Sequence, residues 1–246
     1  MARTLASLAG YVATTDDDGL QLHQFAPARI STRLPGGQAI EIEVETEYPR
    51  EGTVRVVVGE SARAPWTLTF RVPAWADGAR LTVTSGGEVV QDAPAPPGPA
   101  SIRRAFEQGD VVQLVLPMQP RFTAPSPQID AVRGCLAVER GPQVYCLESL
   151  ELAAGSEAPD DIAQVRLDAT TPPRDDGESV RVRLRRGDAA PEFARWPYAP
   201  PAAAQDDTGD GEQPGAVDGG LDVELIPYNR WAGRGPSAMR IWLPAG

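Results

Sequence analysis

Apolar side chains along this chain recur at every second position far more than at every third or fourth, which is the period of half-buried strands. The clearest case is Ile40-Glu41-Ile42-Glu43-Val44-Glu45-Thr46-Glu47, which places aliphatic groups on one face and four glutamates on the other. Similar runs at 20–25, 54–58, 66–72, 81–83, 88–90, 102–106 and 111–116 are separated by turn formers such as Pro49-Arg50-Glu51-Gly52, Asp77-Gly78, Gly86-Gly87 and Gln108-Gly109-Asp110. Strands at this spacing predict an antiparallel β-sandwich. Residues 117–127 carry Pro117, Pro120, Pro125 and Pro127 and read as a domain crossing. A second set of strands follows at 128–132, 135–140, 143–147, 165–167, 180–184, 221–228 and 239–243.

Two segments break the alternation. Leu5, Leu8, Ala9 and Val12 lie three and four apart and predict a short helix over 3–12. Residues 199–220 are nearly all Pro, Ala, Asp, Gly and Gln, too poor in apolar bulk to pack, and predict a mobile acidic loop. The pattern thus predicts an all-β chain: a short N-terminal helix and turn, one antiparallel sandwich, a proline-rich crossing and a second strand-rich region.

Composition narrows the function classes. The net charge is −11 and every Lys-or-Arg position is Arg. An acidic chain is repelled by phosphate backbones and anionic lipid, which argues against nucleic acid and membrane as partners. The N-terminal stretch lacks the apolar core and cleavage site of a secretory signal, so a cytoplasmic location is expected.

Candidate chemistry is sparse. One histidine, His23, excludes a multi-imidazole site. Cys135 and Cys146 flank Arg140-Gly141-Pro142; if that is a tight hairpin they face each other, with free thiols the default and a disulfide the alternative. Two cysteines and one distant histidine fall short of zinc's four ligands. Asp16-Asp17-Asp18-Gly19 lacks the other oxygens of a calcium loop and reads as a turn. Glu41, Glu43, Glu45 and Glu47 read as a solvated face rather than a glycosidase carboxyl pair. Trp66, Trp75, Trp196, Trp231 and Trp242 offer sugar-stacking surfaces, although tryptophans in a sandwich usually fill the core.

Several motifs in order carry a resemblance. They are Leu5 to Tyr11 leading into Asp18-Gly19-Leu20, Thr46-Glu47-Tyr48-Pro49, Phe70 to Trp75, and Gln108-Gly109-Asp110 with Leu116-Pro117-Met118. Ala137 to Glu148, Ile226 to Ala232 and Met239 to Pro244 complete the series. Together they resemble the C-terminal part of glycoside hydrolase family 127, the β-L-arabinofuranosidase family. The resemblance implies an (α/α)6 catalytic barrel followed by two antiparallel β-sandwich domains, with residues 1–19 as the barrel's last helix and a turn, 20–122 as the first sandwich and 123–246 as the second. It also implies a cysteine nucleophile beside a zinc held by cysteines and a glutamate, in the region of a Cys-Cys-Pro-Pro-Asn segment. That segment is absent from this sequence, and Cys135 and Cys146 fall in the second sandwich.

No catalytic residue and no metal ligand is therefore carried over, and substrate-binding residues stay unassigned. The expectation is an accessory portion, truncated or separately encoded, that is inactive alone, has no cofactor of its own and supports the barrel. The barrel is its partner, in cis or from another gene; a carbohydrate and a second copy of the chain are further candidate partners. The alternative is a free-standing carbohydrate-binding β-sandwich. An independent enzyme using an unrecognised carboxylate pair is the weakest reading.

Overall fold

The computed structural model describes residues 7–61, 63–153, 162–186 and 220–246. They form two compact units, one ending at Gln119 and the other beginning at Pro120.

The first unit holds strands β1 (Ala13–Thr15), β2 (Gly19–Leu22), β3 (Ala28–Arg33), β4 (Ala39–Thr46), β5 (Thr53–Val58), β6 (Trp66–Val72), β7 (Arg80–Ser85), β8 (Glu88–Pro94), β9 (Gly98–Arg104) and β10 (Val111–Val115). One sheet runs β1-β2-β6-β9 and the other β3-β4-β5-β10-β7-β8. All pairings are antiparallel except β2 with β6. At that parallel seam Gly19 is needed, because a Cβ there would sit 1.9 Å from the Thr67 carbonyl oxygen. The alternating residues read from the sequence meet in one core: Ile40, Ile42 and Val44 of β4 join Val54, Val56 and Val58 of β5 and Leu68 and Phe70 of β6. Trp66 is part of this core, its ring 4.7 Å from Phe106 and its indole N–H donating to Ser61 Oγ at 3.1 Å.

The N-terminal expectation changes in part. Of the helix expected over 3–12, residues 3–6 lie outside the described residues; Ser7 is helical, Leu8–Tyr11 form a 3-10 turn, and β1 follows. Leu8 and Tyr11 are 51% and 60% exposed. Thr14 and Thr15 are β-branched and favour the strand. The turn after them is closed by Asp16 Oδ1, which accepts the Asp18 and Gly19 N–H groups at 2.9 Å each. Residues 13–19 are therefore a hairpin arm of the first sheet.

The second unit holds β11 (Pro120–Thr123), β12 (Cys135–Arg140), β13 (Gln143–Glu148), β14 (Val165–Leu167), β15 (Arg174–Asp176), β16 (Ser179–Arg186), β17 (Leu221–Pro227), β18 (Met239–Arg240) and β19 (Leu243–Pro244), with a helix α1 at Ser149–Ala153. Its pairings run β11-β12-β13-β17-β16-β14. β19 joins the start of β12, and Ala245 bridges to Leu167 of β14, so the circuit closes and no open edge remains at that seam. Val138, Tyr145, Leu147, Leu152, Leu167, Val182 and Leu225 fill the core inside it.

The boundary lies three residues before the expected 122/123, because Pro120 opens β11 and pairs with Arg140. Proline is tolerated as the first residue of an edge strand, which is where it stands. The expected strand at 128–132 is a 3-10 turn at Asp130–Val132. The loop expected over 199–220 lies, Gly220 apart, outside the described residues, as does Trp196.

Candidate functional site

The two sequence stretches that stood out most, around Arg140 to Glu148 and Ile226 to Ala232, meet in space. β12 and β13 join through Gly141-Pro142, with Gly141 at φ 56°. β13 then pairs with β17, setting Tyr145 opposite Pro227 and Cys146 opposite Ile226. The strand period sends Tyr145 and Leu147 into the core, and Cys146 and Glu148 to the other face. β17 ends at Pro227, and the chain turns through Tyr228–Arg230 into a loop that returns at β18 beside Leu147 and Glu148.

Glu148 is fully buried and holds that loop. Its Oε1 accepts the Ala232 N–H at 3.0 Å and the Ser237 hydroxyl at 2.9 Å. Its Oε2 accepts Arg234 Nε at 3.2 Å and Nη2 at 2.5 Å. The same Nη2 reaches Glu151 at 2.5 Å. Ser149 and Ala238 clamp the far side, the Ser149 N–H donating to the Ala238 carbonyl at 2.9 Å and the Ala238 N–H to Ser149 Oγ at 3.1 Å. Ala232 has φ 61°, the one non-glycine residue in the left-handed region among the described residues. A side chain is strained there and persists only where surrounding bonds dictate it.

This arrangement does not suit acid–base or thiol chemistry. Burial alone would raise the Glu148 carboxyl, but the Ala232 N–H, Arg234 and Ser237 outweigh it and hold it below the usual carboxylate range. A glycosidase general acid needs the opposite shift. Glu148 and Glu151 are bridged by one arginine, Arg234. Burial, with the charge of Glu148 adding to it, pushes the Cys146 thiol up to about 11. A nucleophilic cysteine needs a lowered value.

The other singled-out residues are also structurally engaged. His23 Nε2 shares a 2.7 Å hydrogen bond with Thr14 Oγ1. Glu41, Glu43, Glu45 and Glu47 form ion pairs with Arg29, Arg29, Arg55 and Arg50 respectively. Cys135 and Cys146 are free thiols. They do not face each other, since Cys135 lies opposite Pro244 and the hairpin register pairs Val138 with Tyr145, which leaves the two cysteines offset. Trp75 is half-buried against the first core.

A second buried carboxylate of this unit, missed in the sequence, is Asp168. It accepts from Thr170 Oγ1 at 2.6 Å, Arg185 Nη2 at 2.9 Å and the Thr170 N–H at 3.0 Å, and lies at about 2 for these reasons, the Thr170 hydroxyl bond foremost.

The zinc implied by the family resemblance does not fit these residues. Among the described residues no three of His, Cys, Asp and Glu converge on one point. Cys146 and Glu148 share a face, but the Glu148 oxygens are already taken. Among the described residues, too, no helix is long and apolar enough to cross a membrane.

Fold and site together define a tandem of antiparallel β domains whose buried titratable groups hold loops in place. Residues 19–118 match the GH127 middle domain of the beta-L-arabinofuranosidases, and residues 120–244 match the glycoside hydrolase family 127 C-terminal domain. The chain belongs to glycoside hydrolase family 127, as its middle and C-terminal domains.

A non-reducing end beta-L-arabinofuranosidase of Bifidobacterium longum subsp. longum is 26% identical over 98% of the chain. Among solved structures, a GH127 beta-L-arabinofuranosidase from Geobacillus stearothermophilus T6 is 29% identical with a TM-score of 0.74, covering 100% of this chain and 36% of that one. Another, described as a glycoside hydrolase, is 27% identical with a TM-score of 0.75, covering 99% of this chain and 38% of that one. The chain spans 36% of the length of the Bifidobacterium relative.

Proposed function

We propose that this chain is the non-catalytic β portion of a β-L-arabinofuranoside-hydrolysing enzyme and that its role is to support a separate catalytic region. The observation that carries this reading is that the two family domains fill the chain while spanning only 36% of the Bifidobacterium arabinofuranosidase. The chemistry of the site agrees with it. Glu148 is held ionised and Cys146 protonated, the reverse of what a general acid and a thiolate nucleophile need. The partner is the catalytic barrel of such an enzyme, in cis or separately encoded, and the zinc chemistry belongs to that barrel.

A deletion in the Bifidobacterium relative tests the supporting role. Removing its matching segment should lower the thermal stability and soluble yield of the remainder. A remainder that stays as stable and as active as the whole enzyme would remove the support function.

A further inference from the structure

We draw no further inference here: the strongest candidate, the exposed and nearly parallel aromatic pair Tyr228 and Trp231 on the surface loop held by Glu148, carries nothing, because nothing among the described residues shows what covers it.

Discussion

The carboxylate of Glu148 accepts the backbone N–H of Ala232 at 3.0 Å, tying the end of β13 to a loop 84 positions later in the chain. That bond and its companions from Arg234 and Ser237 decide the shape of the exposed loop. Glu148→Gln keeps the size but removes the charge that Arg234 pairs with. Breaking a buried pair costs about 3–5 kcal/mol, and because Arg234 remains half-exposed the expected loss is about 2–3 kcal/mol. Urea unfolding followed by hydrogen exchange should show this loss together with deprotection of residues 232–238. Unchanged protection there would contradict the role given to Glu148.

Acid should unfold the second unit over a defined window. Glu148 and Asp168 are both held below their ordinary values of 4.5 and 3.8, Asp168 at about 2. The unfolded chain therefore binds protons first as pH falls. The stabilisation is complete above the ordinary carboxylate range and is lost on descending towards pH 2. The urea midpoint of the second unit should fall steeply between those limits, and Asp168→Asn should flatten the lower part of the curve. A midpoint that rises on acidification would show the sign to be wrong.

The thiols should react unequally. Cys146 is fully buried with its thiol at about 11, which leaves on the order of one molecule in a thousand as thiolate at pH 8. Cys135 is half-buried. Ellman's reagent should count at most one thiol in the native chain, at Cys135, and both after unfolding. Fast native labelling of Cys146 would remove the argument that it is inert.

Ala232 offers a stabilising substitution. A residue with a Cβ at φ 61° is strained by about 1–2 kcal/mol, and glycine is not, although glycine gives some of this back through a freer unfolded chain. Ala232→Gly should gain about 0.5–1 kcal/mol in urea unfolding. A loss would mean that the methyl group makes contacts that outweigh the strain.

The sheets were legible where side chains alternate strongly. β4, β6 and β12 lie within one residue of the runs read from Ile40, Trp66 and Cys135, because one face of each is buried and the other wet. β3 was not, since Ala28-Arg29-Ile30-Ser31-Thr32-Arg33 has one large aliphatic residue in six positions and none of the six is fully buried. β11 was hidden by Pro120 at its start and by the prolines that flank it. Residues 128–132 looked like a strand but curl into a 3-10 turn, with Ile129 51% exposed and no sheet to accept it.

The site was legible only as sequence motifs. Both stretches drew notice, yet nothing local in the chain says that Glu148 will find Arg234, 86 positions away. The one local hint is an acidic residue closing the apolar run Val144-Tyr145-Cys146-Leu147, where a buried charge must have partners. The tryptophans could not be sorted from sequence either. Trp66 fills the first core from β6, and Trp231 lies at the surface on the loop after β17.

The central claim, that this chain does not itself cleave glycosides, is tested most directly by hydrolysis of an aryl β-L-arabinofuranoside. The purified chain would be assayed with and without added zinc, beside the full-length Bifidobacterium longum relative under the same conditions. The account predicts release of the aryl group by the relative and none above background by this chain at any zinc concentration. Zinc-dependent turnover by the chain alone, abolished by Cys146→Ser, would contradict it.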